Sequence, residues 1–134
     1  MKTVDEAVDK MLKADVIEES MGSWAFPIVI VDKKDGSKRF CVDYRALNAV
    51  TKPIAYPLPS IDSLLALLGK AVWFTSLDCL SGYYQIAMDP KDREKTAFTC
   101  HRGLYQFKVM PFGLSNAPAV FSELISKVLR GCEA

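Results

Sequence analysis

The sequence predicts a fold of the α/β or α+β class with a mixed or antiparallel sheet. Strand-like runs rich in β-branched and aromatic residues alternate along the chain with helical stripes of apolar residues. Turn signals at Asp35-Gly36 and at His101-Arg102-Gly103 join neighbouring strands directly, so hairpins as well as helices connect the strands. With 134 residues, half of them apolar, the chain is long enough for one domain with a core.

The first third of the chain predicts one helix and one hairpin. An apolar stripe predicts a helix over 4–14, and Thr3 with Glu6 is typical of a capping box at its start. The stripe consists of Val4, Val8, Met11 and Leu12. The runs AFPIVIV (25–31) and KRFCV (38–42) predict strands, and the Asp-Gly pair between them favours a tight turn with a basic tip.

The middle of the chain predicts a connector, a helix and a buried strand. KPIAYPLPS (52–60) contains three prolines, each of which disfavours helix at the preceding position, so this segment should be extended. Ser60 is a typical N-cap for an apolar helix that stops at Gly69. The nearly uncharged run AVWFTSLD (71–78) is rich in strand-forming residues and predicts a buried strand.

The last third predicts a second hairpin and a final helix. The runs 96–100 and 104–109 should be strands joined by a three-residue loop that contains Gly103. A second apolar stripe downstream predicts an amphipathic helix that Gly131 stops. This stripe consists of Val120, Phe121, Leu124, Ile125, Val128 and Leu129.

Composition narrows the classes of protein. Seventeen basic and sixteen acidic residues nearly cancel, so net charge does not indicate a nucleic-acid-binding protein. The sequence has no apolar signal core at its start and no apolar run of membrane-spanning length, which predicts a soluble protein of the cytoplasm or nucleus. Four unevenly spaced cysteines fit neither a zinc pattern nor a disulfide scaffold and predict reduced thiols.

Asp78 is the first candidate for chemistry, because it ends the predicted buried strand and is followed closely by Ser81-Gly82. A carboxylate in that place would stand at the edge of a sheet and face a cleft. By strand alternation it would share one face with Val72, Phe74 and Ser76. The alternative is an aspartate that caps the next short helix.

Three segments carry a family resemblance. TSLDCLSGYYQIAM resembles the reverse-transcriptase motif that delivers the first metal-binding aspartate. The longer stretch from GSWAFPIVIV to YPLPSID resembles the fingers of gypsy-type LTR retrotransposon Pol polyproteins, and KTAFTCHRGLYQFKVMPFGLSNAPAVF resembles the palm strands and helix that follow. The resemblance implies a right-hand polymerase fold, with fingers over about 1–52 and a partial palm over about 53–134 that stops before the catalytic hairpin.

The resemblance also implies chemistry and site residues. It assigns Asp78 to ligating two Mg²⁺ ions in phosphoryl transfer, with help from the main-chain carbonyl of Cys79. Its partners would be an RNA or DNA template-primer and deoxynucleoside triphosphates. The family completes this metal site with a Tyr-x-Asp-Asp hairpin further along the chain. Two such ions about 3.75 Å apart repel by about 18 kcal/mol at an effective dielectric constant near 20, and a single carboxylate with a triphosphate is a poor host for the pair. We therefore expect the isolated chain not to polymerise DNA.

Five further residues take nucleotide-binding roles in the same way. Lys33 and Arg39 flank the first hairpin turn and resemble the residues that hold the incoming triphosphate, although an ordinary solvated hairpin tip has the same composition. Tyr83 resembles the aromatic gate that excludes a ribose 2′-hydroxyl, and otherwise would be a core aromatic. Phe112 would pack against the nucleotide, and Gly113 would let backbone approach it.

Two other function classes compete with the enzyme fragment. One is a non-catalytic remnant, domesticated or decayed, that binds nucleic acid or a protein partner. The other is an unrelated sheet-based RNA-binding module, which the near-neutral charge argues against. A palm without its catalytic hairpin would also expose an apolar edge, so we expect self-association.

Overall fold

The computed structural model describes residues 1–132 and is organised around one five-stranded mixed sheet. Its strands are β1 (Ile17–Glu19), β2 (Phe26–Asp32), β3 (Lys38–Val42), β4 (Phe98–Cys100) and β5 (Gly103–Phe107). They lie in the order β1-β5-β4-β2-β3. Strands β2 and β4 run parallel, and every other neighbouring pair is antiparallel. The predicted class and the mixed sheet are therefore confirmed.

The helices flank this sheet. They are α1 (Lys2–Lys13), α2 (Arg45–Val50), α3 (Ile61–Leu68) and α4 (Ala117–Val128), with two short 3-10 helices at Gly82–Gln85 and Arg93–Thr96. Helix α1 packs its apolar stripe on the sheet, and the two together form the main hydrophobic core. The buried residues of this core are Val4, Val8, Met11, Val16, Ile17, Phe98, Tyr105 and Phe107. Among the described residues no helix has the length and apolar character needed to cross a bilayer.

Helix α1 confirms the helix predicted over 4–14 and corrects its details. Met1 occupies the N-cap without a side-chain hydrogen bond, so Thr3 already lies inside the helix and the predicted capping box does not form. Leu12 remains 37% exposed, because the buried stripe follows Val4, Val8 and Met11. Asp15 then turns the chain with φ of +57°, a conformation that aspartate tolerates better than most residues.

Both predicted hairpins form. In the first, Asp32 pairs with Lys38, and Gly36 provides the positive φ of +79° that the turn needs. In the second, Cys100 pairs directly with Gly103, so the loop has two residues where the sequence predicted three. The difference arises because Gly103, with φ of +133°, already belongs to β5.

The middle of the chain agrees with the prediction in part. Residues 52–60 are free of regular structure, and the Ser60 hydroxyl caps α3 by accepting a hydrogen bond of 3.1 Å from the Ser63 amide. The predicted strand over 71–78 is wrong: this run pairs with no strand among residues 1–132, and Trp73 is 92% exposed. A run of strand-forming residues becomes a strand only when a partner completes its hydrogen bonds.

Helix α4 confirms the predicted final helix, since Gly131 lies shortly after its C-terminal end. Its stripe is only half buried, and Ala117 alone among its residues is fully buried. The four cysteines, Cys41, Cys79, Cys100 and Cys132, are free thiols, as the sequence predicts.

Candidate active site

Asp78 lies in an exposed segment rather than at the end of a strand, which corrects the predicted setting of this carboxylate. Residues 73–79 run on without a turn or bend, and Ser81 then adopts a left-handed conformation with φ of +50°. That reversal starts the 3-10 helix Gly82–Gln85, four residues after Asp78. The local sequence therefore places the Asp78 carboxylate beside the aromatic residues of this helix.

Gly82 allows the 3-10 helix to approach α4 closely. A β-carbon built on Gly82 would lie 2.9 Å from Cζ of Phe121, which is closer than two carbon atoms can stand. Gln85 steadies the same turn, because its side-chain amide donates a hydrogen bond of 2.8 Å to the Leu80 carbonyl. The contact between helix and turn thus brings Tyr83 against Phe121, with ring centroids 5.5 Å apart.

Phe112 is the centre of an aromatic cluster. Its ring lies 5.0 Å from that of Tyr83 and 5.4 Å from that of Tyr84, between centroids, and the Phe112 residue is still 56% exposed. Burial raises the pKa of Tyr84 above its ordinary value, with a smaller contribution from Cys41. An aromatic side chain held from two sides and open to solvent can offer a flat surface to a ligand.

Phe112 lines two clefts. The Asp78 cleft has a volume of about 380 Å³ and the Arg39 cleft about 530 Å³. The Asp78 cleft is lined by Leu77, Asp78, Cys79, Gly82, Tyr83, Phe112, Phe121 and Ile125. The Arg39 cleft is lined by Arg39, Phe40, Cys41, Val42, Tyr84, Phe107, Pro111, Phe112 and Gly113. Phe112 is the one residue that the two clefts share.

A sequence model of the family described as reverse transcriptase (RNA-dependent DNA polymerase) matches residues 31–134 of the chain. The chain belongs to the reverse transcriptase family. The match covers every residue of both clefts, so the site and the family coincide in the sequence.

Relatives from retrotransposons agree with this assignment. The retrovirus-related Pol polyprotein from transposon opus of Drosophila melanogaster is 45% identical over 132 residues, which cover 95% of this chain and 13% of that polyprotein. The corresponding polyprotein from transposon gypsy of the same organism is 44% identical over 133 residues, again 95% of this chain and 13% of that one. The predicted resemblance to gypsy-type elements is confirmed, and the chain spans about 13% of the length of these relatives.

A solved reverse transcriptase shares the fold. The protease-reverse transcriptase of prototype foamy virus, in a selenomethionine-labelled mutant, superposes with a TM-score of 0.85 at 26% sequence identity. The superposition covers 96% of this chain and 17% of the viral one. The expected right-hand polymerase fold is confirmed in this way.

The reverse-transcriptase site residues predicted from the sequence come together incompletely. Asp78, Cys79, Tyr83 and Phe112 line one cleft, while Arg39 and Gly113 line the other together with Phe112. Lys33 lines neither cleft. It stands at the exposed hairpin tip, where its main-chain amide donates a hydrogen bond of 2.8 Å to the Ser37 carbonyl.

Two asparagines support the site and were not singled out from the sequence. The Asn48 side chain donates a hydrogen bond of 2.8 Å to the Gly113 carbonyl and accepts one of 2.9 Å from the Ser115 amide. Asn116 accepts a hydrogen bond of 3.1 Å from the Ile54 amide and donates one of 2.9 Å to the Lys52 carbonyl. The available signal was the presence of asparagine, a poor helix former, within α2 and at the start of α4.

The charged groups of the site remain available for ligands. Within residues 1–132 neither Asp78 nor Arg39 forms an ion pair, and nowhere do three His, Cys, Asp or Glu side chains gather as a metal centre. Magnesium commonly binds through one or two carboxylates plus substrate phosphates. The single Asp78 carboxylate therefore fits a metal ion that arrives with a triphosphate.

Proposed function

We propose that this chain is part of an RNA-directed DNA polymerase in which it holds the incoming deoxynucleoside triphosphate and contributes Asp78 to phosphoryl transfer. The observation that carries the proposal is the sharing of Phe112 by two clefts, one with the Asp78 carboxylate and one with the Arg39 guanidinium. A nucleotide lying across Phe112 would meet an anion-binding group on one side and a metal-binding group on the other.

Each residue has a physical task in this proposal. The planar guanidinium of Arg39 would donate paired hydrogen bonds to phosphate oxygens. The ring of Tyr83, fixed between Phe112 and Phe121, would exclude a ribose 2′-hydroxyl by its bulk. Gly113, with φ of +95° and no side chain, would allow the main chain to lie close to the nucleotide.

Asp78 would hold Mg²⁺ together with the triphosphate, and the main-chain carbonyl of Cys79 would add a second oxygen. Bound magnesium supplies charge neutralisation of the phosphates during an in-line displacement. Lys33 would reach the phosphates only if the hairpin tip moved towards the clefts, because it lines neither of them.

The partners and location belong to the same proposal. The relatives are retrovirus-related Pol polyproteins, which supports an RNA or DNA template-primer as partner. Residues 1–52 would be fingers and residues 53–134 palm, of which 133 and 134 lie outside the described part. Free thiols suit the cytoplasm or nucleus, and exposed apolar residues over 61–80 support self-association.

Calorimetric titration of the chain with dATP, with magnesium and with EDTA, tests the nucleotide-binding role. Asp78→Asn should weaken binding with magnesium by about tenfold or more, the effect of losing one charged contact, and leave binding in EDTA unchanged. Arg39→Ala should weaken binding under both conditions, because it acts on the phosphates directly. Tyr83→Ala should reduce the preference for dATP over ATP.

Asp62→Asn is the matched control, because Asp62 is also an exposed carboxylate but lies on α3 outside both clefts. It should leave the affinity for dATP unchanged, both with magnesium and with EDTA. Equal weakening by Asp78→Asn and Asp62→Asn would refute the role of Asp78. Equal effects of Asp78→Asn with magnesium and with EDTA would refute its role in holding the metal ion.

A further inference from the structure

Two asparagines join the same two segments of the chain in opposite directions. Asn48, from α2, donates a hydrogen bond to the Gly113 carbonyl and accepts one from the Ser115 amide. Asn116, at the start of α4, does the same in reverse, because its side chain bonds to a carbonyl and an amide of 52–54. These four hydrogen bonds are called the asparagine clasp below.

The clasp requires a carboxamide at both positions. Each asparagine meets one carbonyl and one amide that lie two residues apart along the main chain. A carboxamide carries a donor and an acceptor on one planar group, whereas an ionised carboxylate lacks the donor and an apolar side chain lacks both. No residue of α2 is buried, so this helix gains little from apolar packing and depends on polar contacts such as these.

The Gly113 turn has little support of its own. Phe112 is 56% exposed, and Gly113, with φ of +95°, has no side chain to pack. Glycine gives the main chain more rotational freedom than any other residue does. The Gly113 carbonyl and the Leu114 amide belong to one rigid peptide plane, so the hydrogen bond from Asn48 fixes the direction of both.

We propose that Asn48 and Asn116 are positioning residues for the nucleotide site, which hold the Phe112–Gly113 turn in its binding conformation before a nucleotide arrives. The inference rests on the proposed function, in which a nucleotide lies across Phe112 and close to the Gly113 main chain. A turn that is already ordered loses less freedom on binding, so more of the contact energy appears as affinity. Neither asparagine lines the Asp78 cleft or the Arg39 cleft, so each acts through the turn.

Asn116 extends the clasp to the connector that precedes α3. Its hydrogen bonds hold 52–54 against the start of α4, at the boundary proposed between fingers and palm. The connector has no regular structure of its own over 52–60. The clasp therefore ties the position of the Gly113 turn to that of the connector, and loosening either asparagine should weaken nucleotide binding.

Calorimetric titration with dATP and magnesium at several pH values tests the positioning role. At neutral pH Asn48→Asp keeps the acceptor for the Ser115 amide but sets a negative charge beside the Gly113 carbonyl. We expect dATP to bind about threefold to tenfold more weakly than to the parent chain, the effect of one lost hydrogen bond. Between about pH 6 and pH 4 the carboxyl takes up a proton and regains a donor, so the ratio of the two Kd values should fall towards one.

Asn48→Leu separates this recovery from other effects of acid. Leucine has neither polar group, so this variant should bind dATP more weakly than the parent chain at every pH. Asp89, Asp92 and Lys95 line the same cleft as Asn48 and are present in both variants, so the comparison removes their contribution. Recovery in acid by both variants, or by neither, would refute the role of Asn48 as a donor.

Gln106→Glu is the matched control, because Gln106 also uses both ends of a carboxamide. It accepts a hydrogen bond of 2.8 Å from the Ser20 hydroxyl and donates one of 2.9 Å to Glu18, outside both clefts. We expect Gln106→Glu to lower stability in urea, as Asn48→Asp does, and to leave dATP affinity unchanged. Equal weakening of dATP binding by the two variants would show that Asn48 acts through stability alone and would overturn the positioning role.

A double-variant titration tests whether the two asparagines act as one unit. Asn116→Asp loses the donor to the Lys52 carbonyl and should weaken dATP binding by about twofold to fivefold. Combined with Asn48→Asp, it should weaken binding by less than the product of the two single effects, because either change already loosens the turn. A full product would show two independent sites and would exclude the clasp as a unit.

Hydrogen exchange of the free chain tests the clasp without a nucleotide. In Asn48→Leu the Ser115 amide loses its acceptor, so the peptide over 111–116 should exchange about threefold or more faster than in the parent chain. Gln106→Glu should leave this peptide unchanged. Unchanged exchange in Asn48→Leu would exclude the clasp in solution, whereas a parent chain that binds no dATP would refute the nucleotide site and the positioning role with it.

Discussion

Replacement of Tyr44 by phenylalanine should test how the core supports the candidate site. Tyr44 is almost completely buried, and its hydroxyl donates a hydrogen bond of 2.7 Å to the Thr96 carbonyl. Its ring packs edge to face on Phe26 at 5.4 Å and lies under Gly113, where an added β-carbon would stand 3.4 Å from Cδ2 of Tyr44. One side chain therefore joins β2, the second 3-10 helix and the Gly113 turn.

The expected loss of unfolding free energy follows from the buried Thr96 carbonyl, which loses its hydrogen-bond donor. Tyr44→Phe keeps the ring but leaves the Thr96 carbonyl without this bond, which should cost about 1–3 kcal/mol of unfolding free energy. In thermal unfolding each 1 kcal/mol corresponds to about 4 °C for a chain of this size. Urea unfolding followed by circular dichroism measures the loss directly.

Alkaline pH provides a second readout of the same hydroxyl. Burial raises the pKa of Tyr44 above its ordinary value of 10.0, with a smaller contribution from Tyr84. The unfolded chain therefore releases this proton at a lower pH than the folded chain. The stability that depends on the neutral hydroxyl is present below about pH 10 and is lost as the pH rises, and Tyr44→Phe should make that loss less steep.

Tyr56→Phe is the matched control. Tyr56 is half-buried, and its hydroxyl makes no hydrogen bond within the described part of the chain. Its replacement should change the unfolding free energy by less than about 0.5 kcal/mol. If Tyr44→Phe destabilised the chain no more than Tyr56→Phe does, the hydrogen bond to Thr96 would not support the core as argued.

Three further perturbations concern the turns and the acid stability. The Arg45 guanidinium, by its hydrogen bonds, lowers the pKa of Asp43 to about 2, so urea unfolding should show stability lost as pH falls from about 4 to about 2, and Arg45→Ala should remove that part of the loss. Gly113→Ala should cost about 1–2 kcal/mol in urea unfolding, because φ there is +95°. Gly82→Ala should cost about 1–3 kcal/mol through its contact with Phe121, and Phe121→Leu should recover part of that loss in a double-mutant cycle.

Contrary results would be equally clear. An acid transition unchanged by Arg45→Ala would place its cause elsewhere. A Gly113→Ala chain as stable as the parent would show that the turn can adopt another conformation. Additive effects of Gly82→Ala and Phe121→Leu would exclude close packing between the 3-10 helix and α4.

Hairpins and helices were predictable where the signals were local. The Asp-Gly turn, the Ser60 cap and the apolar stripe of α1 each depend on residues a few positions apart. The turn and the cap form as predicted, and the stripe does so except at Leu12. The predicted capping box does not form, because the helix starts at Lys2 and Thr3 therefore lies inside it rather than at its N-cap. Local signals therefore identified the elements better than their ends.

Family motifs, and not periodicity, singled out most of the residues that were predicted for the site and that line the two clefts. Periodicity put Asp78 at the end of a buried strand, whereas the structure leaves that segment exposed and without a partner strand among residues 1–132. Pairing is a property of two segments, and the composition of one cannot supply the other. The hydrogen bonds of Asn48 could not be predicted either, because those to Gly113 and Ser115 join residues 65 and 67 positions apart in the sequence.

The sequence by itself determined the class of fold, the two hairpins and the membership of a polymerase family. These features depend on turn residues, apolar periods and motifs, each of which involves residues close together in the sequence. Tertiary structure alone decided that Phe112 lines two clefts and that Lys33 lines neither. The physical reason is that a cleft forms where distant segments pack, and its lining depends on close contacts such as that of Gly82 with Phe121.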